Sequence, residues 1–160
     1  MDLYSELAAI VEALGRHELP YALCGGLAVA LHGHPRFTKD VDLLVLDNHL
    51  AETKRVLAEL GYVLEAEPMT FGTGMAERTV HRVSRVHEGD TLTVDLILLS
   101  GALRDVWEER VEFNWEGRII TAVSAAGLVR MKRIAGRPQD LVDIEALGVG
   151  LDPSVEDDDG

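Results

Sequence analysis

Apolar positions recur along this chain with two periods, and together they mark out alternating helices and strands. Leu3, Leu7, Ile10, Val11 and Leu14 fall at three- and four-residue steps, which places them on one face of a helix. Pro20 ends that segment. Tyr21 to Cys24 reads as a short buried strand, and Leu27 to His32 as a helix of small residues that stops near Gly33 and Pro35. Residues 40–46 form a strand apolar on both faces. Asn48 caps a helix running to Leu60 and ended by Gly61. Tyr62 to Leu64 reads as a strand, and Pro68 to Met75 as a glycine-containing loop. Arg78 to Val86 alternates, Glu88-Gly89-Asp90 turns, and Thr91 to Leu98 returns as the second half of a hairpin. A helix is predicted over 102–110. A second hairpin joins residues 112–115 to 118–121 through Glu116-Gly117. Ser124 caps a helix through Ala135, which Gly136 breaks, and Pro138 opens a last helix over 139–147. This order predicts an α/β (α+β) domain with a mixed sheet flanked by helices over residues 1–150. The tail, 151–160, is expected to be disordered.

Composition narrows the class. With 160 residues, 47% of them hydrophobic, the chain can bury a core of its own. No run approaches the ~18–20 uninterrupted apolar residues of a membrane span, and no signal sequence opens the chain. Cys24 is the single cysteine, so no internal disulfide forms, which fits a reducing, cytoplasmic setting. Between apolar neighbours it reads as a strand residue rather than a nucleophile. The net charge of −13 argues against strong nonspecific binding to a nucleic-acid backbone, which needs clustered cations. Asp152, Glu156, Asp157, Asp158 and Asp159 carry part of that charge in a tail without Lys or Arg. Local basic patches remain open, one at Arg78, Arg82 and Arg85 and another at Lys132, Arg133 and Arg137.

The most informative chemistry lies at Asp40-Val41-Asp42. Alternate strand residues share a face, so the two carboxylates point the same way about 6.5–7 Å apart. Like charges in a strand covered on both sides are costly unless a cation sits beside them. Hard oxygen ligands in this arrangement suit Mg²⁺, commonly held by one or two carboxylates plus substrate phosphates, with Mn²⁺ as an alternative.

Cys24-Gly25-Gly26, a gap, and Asp40-Val41-Asp42-Leu43 together resemble the signature of the polymerase-beta nucleotidyltransferase superfamily. The gap lies at the long end of that pattern. The run from Gly25 to Gly33 and the segment Arg36-Phe37-Thr38-Lys39 before the acids look most like abortive-infection (AbiEii-type) nucleotidyltransferases of toxin-antitoxin systems. They are also similar to the small lincosamide and aminoglycoside nucleotidyltransferases. The likeness implies a nucleotidyltransferase fold, with Gly25 and Gly26 at a turn where backbone N–H groups approach phosphate. It also implies a third carboxylate on a neighbouring strand, for which Asp95, inside an otherwise apolar strand, is the natural candidate. Asp40, Asp42 and Asp95 would then hold two Mg²⁺ ions for an in-line displacement, and Asp95 could take the acceptor proton.

A second match lies in the C-terminal part. Leu128 to Arg133 and Gly136 to Ile144 resemble the Lys helix and the Arg-x-x-Asp-x-x-Asp segment of the abortive-infection type. By that likeness Lys132 contacts the triphosphate, and Asp140 and Asp143 hold Lys132 or Arg137 in place. Arg36 and Thr38 stand just before the acidic strand as further nucleotide contacts, Arg36 alternatively pairing with a surface acid. His32-Gly33-His34 lacks a third ligand at zinc spacing, and Trp107 and Trp115 read as core or hairpin residues.

The expected activity is metal-dependent transfer of a nucleoside monophosphate from an NTP such as ATP to a hydroxyl, with pyrophosphate leaving. The acceptor is left open between a small molecule such as an antibiotic, a protein and tRNA. So is a homo-oligomeric state. The competing reading is a binding module of the same fold, an antitoxin or regulatory partner with catalysis secondary or lost.

Overall fold

The computed structural model describes residues 2–34, 38–74 and 77–135, together with 142, 144, 145 and 147. Among these, eight strands form one mixed sheet. They are β1 (Ala22–Cys24), β2 (Asp40–Val45), β3 (Leu64–Glu65), β4 (Met69–Phe71), β5 (Arg78–His87), β6 (Asp90–Leu98), β7 (Val111–Trp115) and β8 (Arg118–Ala122). The order across the sheet is β3-β5-β6-β2-β1-β8-β7, with β4 also paired to β5. β2 runs parallel to β6 and antiparallel to β1, while β1 runs parallel to β8. The helices are α1 (Leu3–Arg16), α2 (Gly25–Leu31), α3 (Leu50–Glu59), α4 (Arg104–Glu108) and α5 (Ala125–Ala135). This is the mixed sheet flanked by helices that the apolar pattern predicts.

Local chemistry sets the ends of these elements. Asp2 caps α1 by accepting from the backbone N–H groups of Tyr4 and Ser5, each at 3.3 Å. Ser124 caps α5, its hydroxyl accepting from Gly127 N–H at 3.0 Å. Both hairpins turn on a Glu-Gly pair with left-handed backbone, φ 50° and 84° at Glu88-Gly89 and 49° and 82° at Glu116-Gly117. Two successive positive φ values match the twist of antiparallel strands, which is why these turns are tight.

Four expectations need correction. Residues 69–71 are not loop: β4 pairs Met69 with Val80 and Phe71 with Arg78. α2 begins at Gly25, two residues before Leu27, so Gly25 belongs to the helix itself. Asn48 is not a cap, because residues 47–49 form a 3₁₀ turn and α3 starts at Leu50 without a side-chain cap. The strand after α3 is confined to residues 64–65. Of the last predicted helix, residues 142, 144, 145 and 147 are described and helical, with Leu147 buried in the core. The acidic tail lies outside the described residues. No helix among the described residues is long and apolar enough to cross a membrane.

Strand parity divides the sheet into two faces. Val41, Leu43 and Val45 point to one, with Leu43 between Leu23 and Leu96. All five are buried. α1 and α3 pack together on this side. A polar triad ties α1 to the sheet there: Tyr62 Oη donates to Glu6 Oε1 at 2.8 Å, and Arg85 Nη1 reaches the same oxygen at 2.7 Å. One half-buried carboxylate thus satisfies two donors, and removing Glu6 would leave the buried Tyr62 hydroxyl without its partner. Burial, reinforced by Glu6, pushes the Tyr62 phenol above its usual range.

A phenol whose pKa is raised by folding stabilises the fold fully below about pH 10, its unfolded value, and loses that contribution as pH rises towards the folded value. Wild-type stability, followed by urea midpoint, is expected to fall above pH ~10. Tyr62→Phe should cost about 1 kcal/mol at neutral pH and flatten that alkaline decline. An unchanged alkaline slope in the variant would remove Tyr62 as its source.

Candidate active site

The opposite face of the sheet carries the acids. Asp42 pairs in register with Asp95 across the parallel β2–β6 ladder, and Asp40 lies two residues away on the same face. The row continues outward on both sides, to Cys24 beside Asp42 and to Arg82 beside Asp95. The three acids named from the sequence therefore share one face of adjacent central strands, at the start of β2 and the middle of β6. They line a cavity of about 350 Å³ roofed by α5, with Leu128, Met131 and Lys132 on its wall.

Gly25 lets Asp42 sit where it does. A Cβ built on Gly25 would lie 2.0 Å from Asp42 Oδ2, and its φ of +66° is strained for any residue with a side chain. The glycine is required by the close approach of a carboxylate to the backbone that opens α2. Gly26 is the next residue of α2 and is not among the described residues lining the cavity.

The balance of charge differs from the sequence expectation. Arg82 grips Asp95 with two hydrogen bonds, Nε to Oδ1 at 2.8 Å and Nη2 to Oδ2 at 3.0 Å. A planar fork meeting a carboxylate in this way is the strongest neutralising geometry a side chain offers. Its position explains a second correction. Arg78, Arg82 and Arg85 do not form one basic patch, because Arg78 and Arg82 line the cavity while Arg85 binds Glu6 on the other face. Lys132 is buried on α5 beside the acids, where the sequence likeness expected a cation.

Burial and the neighbouring charge of Asp95 raise the pKa of Asp40, against the opposing pull of Arg82 and Lys39. Burial first, then the Asp42 charge, pushes the Cys24 thiol well above its usual range, so it is no nucleophile. Thr38 donates to Asp40 O at 3.4 Å and is not among the described residues of the cavity wall. Arg36, Arg137, Asp140 and Asp143 lie outside the described residues. His32 hydrogen-bonds Val123 O at 2.9 Å and meets Phe113 edge-on, which is a packing role.

The fit of a divalent cation is partial. All three acids offer hard oxygens on one face, and Asp42 is held against a glycine. Yet among the described residues no three His, Cys, Asp or Glu side chains converge as ligands of one ion. Asp95 is the member committed elsewhere, to Arg82. Asp40 and Asp42 fit the pair of carboxylates that holds Mg²⁺ together with substrate phosphates.

Comparison with solved structures gives the class first. The chain has the nucleotidyltransferase fold. It superposes on a nucleotidyltransferase candidate from Thermotoga maritima, TM1012, with a TM-score of 0.62 and 16% identity, over 92% of this chain and 93% of that one. ANT(2″)-Ia, solved in complex with adenylyl-2″-tobramycin, matches with a TM-score of 0.62 and 16% identity, over 95% of this chain and 91% of that one. The family follows from the sequence. Residues 6–147 match the model of the aminoglycoside-2″-adenylyltransferase family, and the chain belongs to that family of NTP-dependent nucleotidyltransferases. Of the two likenesses the motifs carry, the match falls on the aminoglycoside one. No curated protein sequence matches the chain.

Sequence reasoning missed Arg82 as the partner of Asp95 and the apolar half of the cavity, built by Met69, Phe71, Val80 and Ile97. The first was within reach. The two-residue turn pairs His87 with Asp90 and therefore, five steps up the hairpin, Arg82 with Asp95.

Two outcomes test this geometry. Because folding raises the Asp40 pKa, the charged carboxylate costs stability that is absent at low pH and appears as pH rises through the folded value. Asp40→Asn should raise the Tm of the metal-free protein at about pH 7, with the gain vanishing near pH ~3, where the wild-type group is protonated in both states. A lower Tm at neutral pH would contradict the assigned environment. Gly25→Ala should displace Asp42 or the start of α2 at a cost of about 2 kcal/mol or more. A wild-type urea midpoint in that variant would show that the contact is slack.

Proposed function

We propose that the chain transfers the adenylyl group of ATP to a hydroxyl of a cationic small-molecule acceptor of the aminoglycoside type, releasing pyrophosphate. The observation that carries this reading is the in-register pairing of Asp42 with Asp95, one step from Asp40, in a cavity that also holds Lys132 and Arg82. Both signs of charge are needed there. Lys132 and Arg82 face the triphosphate, while Asp40 and Asp42 hold a divalent cation. When bound, that ion neutralises phosphate charge and polarises the reacting phosphoryl group.

The residues of the chain account for the remaining steps. Lys132, a buried point cation, orients the phosphates and favours departure of pyrophosphate. The acceptor oxygen forms a bond to the α-phosphorus as the bond to pyrophosphate breaks, and the hydroxyl proton passes to Asp95. The supporting features for the acceptor are the family itself and the net charge of −13, which attracts a polyamine and disfavours a nucleic-acid acceptor. ANT(2″)-Ia binds an adenylylated aminoglycoside of this kind.

The test is to incubate the protein with Mg²⁺, each α-labelled NTP and a panel of aminoglycosides, and to identify the labelled product by mass. ATP is expected to label an aminoglycoside with stoichiometric pyrophosphate. Asp42→Asn should lower transfer at least about a hundredfold. Lys132→Ala should weaken ATP binding about tenfold or more while leaving the fold intact. Label on a protein or RNA instead would overturn the acceptor class, and full activity in Asp42→Asn would overturn the site.

A further inference from the structure

The Arg82–Asp95 pair puts an expected role of Asp95 in conflict with its actual partner. Both carboxylate oxygens accept from the guanidinium. In that state a divalent ion bound at Asp95 would sit against a positive charge. The two partners also differ in freedom. The Asp95 side chain is 12% exposed on a strand flanked on both sides, whereas the Arg82 side chain is 41% exposed at the cavity wall. Asp40 and Asp42 both add to the field that holds Arg82 charged. Arg82 is therefore the counter-ion of Asp95 within the acid row.

We infer that Arg82 is an exchangeable clamp: it neutralises Asp95 in the resting protein and transfers to the phosphates of the incoming nucleotide, which releases Asp95. The chemistry of exchange is favourable because the guanidinium fork matches carboxylate and phosphate oxygens equally well. A triphosphate carries more charge than one carboxylate and enters the same cavity. Transfer of the fork then does two things at once: it adds a contact to the phosphates and removes the cation that bars a divalent ion from Asp95. The nucleotide thereby completes the acid site, and a cation alone binds it incompletely. This inference rests on the nucleotide-site reading above and gives Arg82 two successive partners, Asp95 and then the phosphates.

Two binding titrations on the full-length protein separate the inference from that reading. In the first, Mn²⁺ is titrated without nucleotide and followed by the loss of the free-ion electron paramagnetic resonance signal. Arg82→Gln should bind Mn²⁺ about tenfold more tightly than wild type, the order expected when one charge-assisted pair no longer competes. Adding Asp95→Asn should abolish the gain. In the second, ATP with Mg²⁺ is titrated calorimetrically, and Arg82→Gln should bind it about tenfold more weakly. A purely structural arginine would not tighten metal binding when removed. If Arg82→Gln fails to fold by circular dichroism, Arg82→Lys, which keeps the charge but loses the fork, should show smaller shifts in the same directions. Unchanged Mn²⁺ or ATP affinity, with ATP binding lost in Asp42→Asn, overturns the clamp and leaves the nucleotide site standing. Absence of ATP binding by the wild type overturns both.

Discussion

The structure turns on holding like charge in one place. Asp42 and Asp95 are lateral neighbours on parallel strands, and Asp40 sits one pleat away, with the flanking strands limiting access of water. Carboxylates so arranged repel one another and weaken the fold unless cations answer them. The surrounding residues follow from that demand. Arg82 enters from β5 at the matching register, Lys132 is carried in on α5, and Gly25 gives up a side chain so that Asp42 can lie against the backbone. Each comes from a different part of the chain. None would be selected by the packing of a sheet alone, and Gly25 costs stability in its own right.

The two faces of the sheet divide this load. On the α1–α3 side, the polar triad Glu6–Tyr62–Arg85 is satisfied within itself, and Leu23, Leu43 and Leu96 form an apolar row. That side contributes burial at roughly 25 cal/mol per Å² with no functional conflict. The acid side carries the repulsion, the left-handed glycine and the buried lysine. Local conflict on one face, supported by a consistent opposite face, is the pattern expected of a candidate site. Arg82 and Arg85 show how fine the division is. Three residues apart on one strand, they serve opposite faces, one beside the chemistry and the other within the scaffold.

How much of this was legible follows from the range of each interaction. The apolar periods of α1 and β2 and the Glu-Gly turns are local, and they locate those elements in the sequence. The antiparallel hairpin is legible in register as well, because its turn dictates every pair up to Arg82 opposite Asp95. The parallel pairing of Asp42 with Asp95 is different. β2 and β6 are separated by α3 and three strands, and nothing in the intervening chain determines which residue of one meets which of the other. Its prediction needed the family likeness. β4 was misread for another reason: three residues between Pro68 and Gly72 are too few to display a period, and Phe71 is exposed. The segments with Arg36, Arg137, Asp140 and Asp143 lie outside the described residues, so those expectations stand as they were.

The same geometry sets the acid row apart from the apolar wall of the cavity. The acids stand on β2 and β6, each bonded to strands on both sides, so their spacing is set twice over. The far half of the cavity is built on β4, which pairs with β5 alone, and on the inner surface of α5. There Arg78 lies 5.3 Å over the ring of Phe71 at the cavity's mouth. A substitution at Met69 or Phe71 alters shape and apolarity without passing through any hydrogen bond of the acid row. The acid row and the apolar wall of the cavity are thus carried by elements of different constraint. The first is shared wherever the acidic strands recur, whereas the second can change with a few side chains on a short, peripheral strand.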